Sequence, residues 1–102
     1  MAITDVQLKS GWHQVFNEKG KKVKDLSESS VGTFCGFGTD FIVFHKGAWF
    51  VIVDETGKKL KDLSESSVGE FRNASGNTVL FQKGRFIATY DKLGKKLSER
   101  SA

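Results

Sequence analysis

Asp25-Leu26-Ser27-Glu28-Ser29-Ser30-Val31-Gly32 recurs unchanged as Asp62-Leu63-Ser64-Glu65-Ser66-Ser67-Val68-Gly69. An identity of this length at an offset of 37 residues marks an internal duplication, and a period of this size belongs to repeat architectures. The same offset carries Trp12 onto Trp49, Gly20 onto Gly57, Phe34 onto Phe71, Phe44 onto Phe81 and Lys46-Gly47 onto Lys83-Gly84. Residues 11–47 and 48–84 share 18 identities in 37 positions. A partial third copy covers 85–102: Gly94-Lys95-Lys96-Leu97 repeats Gly57-Lys58-Lys59-Leu60, and Ser98-Glu99 reads as an echo of Ser64-Glu65 after a deletion. Residues 1–10 form a partial first copy, because Asp5 to Ser10 falls in register with Ile42 to Gly47. The 102 residues therefore read as one domain of roughly 2.75 repeats, with no linker or tail of consequence.

Within one repeat, Thr39 to Phe44 and Trp49 to Val53 are β-branched and aromatic runs joined by a short turn at Lys46-Gly47, the pattern of a tight hairpin. Asp54-Glu55-Thr56-Gly57 makes the next turn, Lys58 to Leu63 leaves it as a polar strand, Ser64 to Ser67 is a polar connection, and Val68 to Asn73 is a short strand. The pattern predicts an all-β antiparallel meander of about 11 short strands. Phe41 to Phe44 and Trp49 to Val53 are continuously apolar and are expected to be buried on both faces, with the Lys58–Leu63 strand at an edge. Leu60, Leu63, Ser67, Val68 and Phe71 also fit helical spacing, but the serines and Gly69 weigh against a helix.

Composition limits the function. The chain is 38% hydrophobic, 12% aromatic and 27% charged, within the globular range. No apolar run is long enough to span a membrane, and Met1 to Lys9 lacks the apolar core of a secretory signal. Cys35 is the single cysteine, so a disulfide framework is excluded, and a reducing, cytoplasmic location is expected. The net charge of +4 permits anionic partners without requiring them.

The segment Phe86 to Leu97, like Phe50 to Lys58, has the form of an apolar strand, an Asp, two residues and then Gly-Lys. It resembles the strand–turn–strand unit of bacterial β-propeller-blade repeats, and is similar to WG-type repeats although the Trp-Gly pair is absent: Trp12 is followed by His13 and Trp49 by Phe50. The resemblance implies propeller-blade-like sheets and transfers no catalytic residue. A β-trefoil-like pseudo-threefold arrangement is the alternative. Closed propellers need at least about four blades, so fewer than three repeats imply a homo-oligomer, a dimer being favoured.

No set of residues carries catalytic chemistry. His13 and His45 map onto Phe50 and Gln82, and Cys35 maps onto Arg72, so neither a Cys–His pair nor a Cys–His metal site is expected. Gly36-Phe37-Gly38 lacks the third glycine and helix of a dinucleotide site and is read as a turn. Asp25, Glu28, Asp62 and Glu65 would suit a cation or a hydroxyl-rich ligand, but a polar, hydrogen-bonded connection between strands, kept alike by duplication, is the preferred reading. The repeated basic turns carry the clearest binding signal: Lys21 and Lys22, Lys58 and Lys59, and Lys95 and Lys96. Trp12, Trp49 and Phe86 share one repeat position; exposed they would stack on sugars or bases, but their apolar neighbours place them in the core. The expected function is a non-enzymatic, cofactor-free interaction module that binds a protein partner or itself. The alternative is a lectin-like or anionic-polymer-binding module using Lys21, Lys22, Lys58, Lys59, Lys95, Lys96, Trp12 and Trp49.

Overall fold

A computed structural model of the chain describes residues 2–101. The alternating runs and their turns fold into strands β1 (Ile3–Lys9), β2 (Trp12–Asn17) and β3 (Lys22–Ser27), one helical turn α1 (Glu28–Val31), strands β4 (Thr33–Phe37), β5 (Phe41–Lys46), β6 (Trp49–Asp54) and β7 (Lys59–Ser64), a second helical turn α2 (Glu65–Val68), and strands β8 (Glu70–Ser75), β9 (Thr78–Lys83), β10 (Phe86–Asp91) and β11 (Lys96–Ser101). The eleven strands are antiparallel neighbours in three sheets: blade I is β1-β2-β3, blade II is β4-β5-β6-β7 and blade III is β8-β9-β10-β11. The blades superimpose in sequence at the offset of 37, blade I having no counterpart of β4 and β8 among the described residues. The strands close no barrel, so the trefoil alternative is not the arrangement formed.

Pairing corrects two points of the sequence reading. Val51 faces Asp62 and Ala88 faces Glu99, so the third copy runs without a deletion and Glu99 is the counterpart of Asp62, not of Glu65. The serine-rich connection is helical for one turn, and it takes Val68 out of the expected strand, which begins at Glu70. Local hydrogen bonds make this turn. The Gly69 N–H donates to the Glu65 carbonyl at 2.8 Å, the Glu65 N–H donates to the Ala48 carbonyl at 2.9 Å, and the Ser64 and Ser66 hydroxyls lie 2.8 Å apart. Gly32, Glu28, Gly11, Ser27 and Ser29 repeat the same bonds one blade earlier. Gly32 and Gly69 end the turns at φ 97° and 89°, and a Cβ there would overlap the carbonyls of His45 and Gln82. The longest identical block of the sequence is thus the link that turns one blade into the next.

The apolar runs are spent on the joints between blades. Val15 and Leu26 of blade I cluster with Ile42, Phe44 and Val53 of blade II. Their counterparts Ile52 and Leu63 of blade II cluster with Val79 and Phe81 of blade III, with Tyr90 packed against them. Equivalent rings meet at both joints: His13 lies 4.8 Å from Phe44, and Phe50 lies 4.9 Å from Phe81. Residues 41–44 are all buried, as their unbroken apolar run predicts, and β7 is an edge strand, as its lysines predict. The two outer faces carry polar residues at these same positions. Asp5 and Gln7 stand where Ile42 and Phe44 do, and Thr89 and Arg100 stand where Ile52 and Leu63 do.

Candidate functional site

Three surface grooves are one site repeated by the 37-residue offset. Each begins where the second strand of a hairpin starts. The last residue of the preceding strand is a lysine, and it stands directly across from an aromatic residue: Lys9 opposite Trp12, Lys46 opposite Trp49 and Lys83 opposite Phe86. Residues opposite one another in an antiparallel pair share a face, so the lysine and ring stand side by side. One strand further out, a second row on that face pairs Gln14 with Asp25, Val51 with Asp62 and Ala88 with Glu99. Each carboxylate holds a lysine three residues before it: Lys22–Asp25 at 3.1 Å, Lys59–Asp62 at 2.9 Å and Lys96–Glu99 at 2.7 Å. The Glu99 carboxylate, by hydrogen bond and by charge, raises the Lys96 ammonium above the ordinary lysine range.

The blade II groove encloses about 560 Å³ between Ser30, Lys46, Trp49, Val51, Lys59 and Asp62. The blade III groove encloses about 420 Å³ and is lined by Ser67, Lys83, Phe86, Ala88, Lys96 and Glu99, with Arg85 at its edge. The blade I groove, about 330 Å³, is lined by Lys9, Ser10, Trp12, Gln14 and Asp25. Ser30 and Ser67 come from α1 and α2, so in blades II and III the link from the preceding blade forms one wall. The Lys46 ammonium donates to the Ser30 carbonyl at 3.0 Å and ties that wall to the floor.

The structure divides the residues singled out by the sequence. Trp49 with Lys59, and Phe86 with Lys96, come together in a groove, and Trp12 sits beside the Asp25 that holds Lys22. Trp12, Trp49 and Phe86 are not core residues; they are 49%, 50% and 52% exposed, because each is the first residue of its strand, beyond the part of the sheet covered by a neighbouring blade. Lys21, Lys58 and Lys95 lie at the far end of that strand, in the next turn, and are exposed there. Their backbone N–H groups donate to the side-chain oxygens of Asn17, Asp54 and Asp91 at 3.0, 2.9 and 2.9 Å. The six turn lysines are therefore not one array. Sequence reasoning passed over Lys9, Lys46 and Lys83 as groove residues, although their shared offset carried the signal. It set Asp25 and Asp62 beside Glu28 and Glu65, whereas the structure puts only the aspartates in the grooves and the glutamates in the helical turns.

The remaining reactive groups serve the joints. His13 is 1% exposed, and its Nε2 lies 2.9 Å from the Gly32 carbonyl. His45 Nε2 lies 3.1 Å from the Glu65 carboxylate. Burial pushes the half-buried Cys35 thiol up, away from the thiolate a nucleophile needs. Gly36 and Phe37 belong to strand β4, at a bulge between Phe34 and Gly36, instead of the expected turn. Among the described residues no group of three or more His, Cys, Asp or Glu side chains is placed to hold a metal, and no helix is long and apolar enough to cross a membrane. The fold and the repeated groove define a small all-β protein of blade-like repeats. No protein-family model matches the chain, and a search of curated proteins finds no match.

Proposed function

We propose that this chain is a non-enzymatic, lectin-like binding module in which each blade offers the same groove to the same sugar unit. The observation that supports it is the threefold recurrence of one constellation: an exposed ring, a lysine directly beside it, and a carboxylate–lysine pair two residues along. The chemistry suits a sugar. A half-exposed ring face takes the C–H face of a pyranose, the carboxylate accepts from hydroxyls, and the ammonium donates to them. A shallow groove holds a single unit weakly, and three grooves on one chain raise the strength of binding to a polymer through effective concentration. The test is a glycan array probed with the wild-type chain and with the triple variant Trp12→Ala, Trp49→Ala and Phe86→Ala. Hits that disappear in the variant support the proposal, and an array without hits for the wild type contradicts it.

A second reading, self-association into a dimer, is supported by one exposed residue. Leu97 is 53% exposed on the outer face of blade III, whereas its counterparts Val23 and Leu60 pack against the joints between blades. A second copy presenting the free face of its blade I would bury Leu97 as the joints bury Val23 and Leu60. Light scattering behind size-exclusion chromatography gives the molar mass. Twice the monomer mass, returned to the monomer mass by Leu97→Lys, supports this reading, and a monomer at high micromolar concentration removes it.

A further inference from the structure

Resting on the sugar-binding reading, we infer that the unit each groove takes is an acidic sugar, one that carries a carboxylate or a sulfate. The carboxylate–lysine pair of each groove is neutral as a unit. The lysine opposite the ring is additional to it, so the linings of the blade II and blade III grooves carry a positive charge in excess, with Arg85 adding another in blade III. The blade I lining holds Lys9 and Asp25 and gains its excess from the Lys22 ammonium paired with Asp25. This lysine is the same residue in all three blades while the ring varies between Trp and Phe and the next floor position between Gln14, Val51 and Ala88. Lys46 gives one of its three donors to the Ser30 carbonyl, which holds the ammonium at the groove and leaves two donors for a ligand. A polymer of phosphates fits poorly. Each of its charges drawn to the lysine beside the ring would also meet the fixed carboxylate of Asp25, Asp62 or Glu99 in the next row of the same face, and it offers no hydroxyl to those carboxylates. A sugar acid satisfies all three elements, with its ring face on the aromatic, its hydroxyls on the carboxylate and its anionic group on Lys9, Lys46 or Lys83.

The test compares matched polymers on the intact chain: polygalacturonate against its fully methyl-esterified form, a sulfated galactan against its desulfated form, and inorganic polyphosphate. Binding about tenfold tighter to the charged member of either pair is expected, because a charge-assisted hydrogen bond is replaced by a neutral one. The pair that shows the difference identifies the anionic group. The quadruple variant Lys9→Gln, Lys46→Gln, Lys83→Gln and Arg85→Gln, with an unchanged unfolding midpoint, is expected to bind both members of that pair alike. Equal wild-type binding to charged and neutral members overturns the acidic preference and leaves the sugar reading standing. Binding to polyphosphate with none of the polysaccharides overturns both.

Discussion

The Lys59 ammonium lies 2.9 Å from the Asp62 carboxylate on β7, and the pair stands in the groove lined by Trp49. Both side chains are substantially exposed, and an exposed pair contributes little to folding. Its recurrence in every blade follows the duplication, and the proposed groove gives it a role that folding does not require. Asp62→Asn should leave the thermal unfolding midpoint within about a degree or two, given how little such pairs are worth. Sugar binding at blade II should weaken about tenfold, since a charged acceptor is lost. Calorimetric titration beside a thermal melt separates the two effects; a large fall in stability with binding intact would make the pair structural.

Phe44 and Trp49 lie on neighbouring strands and should answer truncation in opposite ways. Phe44 is fully buried in the joint between blades I and II, so Phe44→Ala should cost about 3–5 kcal/mol through lost burial and a cavity. Half-exposed Trp49 has less to lose, and Trp49→Ala should cost about 1 kcal/mol while abolishing binding at its groove. Urea denaturation of the two variants measures the contrast.

Asp54 closes the turn between β6 and β7. Burial by itself raises its carboxyl, but bonds from the Thr56 hydroxyl at 2.6 Å and from the Lys58 and Thr56 N–H groups outweigh burial and hold it below the usual carboxylate range. Its ionised form therefore stabilises the fold at neutral pH, and that contribution is lost as pH falls through the lowered folded value. Asn17 accepts the same backbone bonds in blade I without a charge. Asp54→Asn should hold the turn and flatten the acid side of the stability profile, whereas Asp54→Ala should cost about 1 kcal/mol at pH 7 through the lost hydrogen bonds. Urea midpoints between pH 3 and pH 7 check both, on either side of the ordinary aspartate range.

His13 occupies a phenylalanine's place. It meets Phe44 as Phe50 meets Phe81, and its buried Nδ1 has no hydrogen-bond partner. His13→Phe removes that unsatisfied nitrogen and gives up the bond to the Gly32 carbonyl, so stability should change by less than about 1 kcal/mol. His13→Ala opens a cavity in the joint and should cost about 3 kcal/mol. Denaturant titration of both variants distinguishes a packing ring from a required imidazole.

The blades were legible in the sequence because the duplication fixes four strand positions per repeat, and because the residue types of 41–44 and 59–63 declare a buried and an edge strand. The helical turns were not, because four residues are too few for a period to show, and the bonds that hold Glu65 and Gly69 reach across to Ala48 or depend on a glycine at positive φ. The register of β11 misled because Ser98-Glu99 imitates Ser64-Glu65, and only the pairing of Ala88 with Glu99 reveals the gap-free match. Half of the groove was legible. The rings and Lys22, Lys59 and Lys96 stood out by composition, but their apolar neighbours argued for burial of the rings, and the cross-strand partners Lys9, Lys46 and Lys83 become neighbours only once register is known.

Equivalent grooves should fill together, and the two tryptophans report on two of them. In a two-dimensional ¹H–¹⁵N spectrum of the labelled chain, the indole N–H signals of Trp12 and Trp49 are followed during titration with a galacturonate oligomer. Both indoles should shift over the same concentration range while the amides of Lys21, Lys58 and Lys95, at the far ends of the blades, stay in place. Stationary indoles with moving turn lysines would contradict the repeated-groove site and return the function to the basic turns.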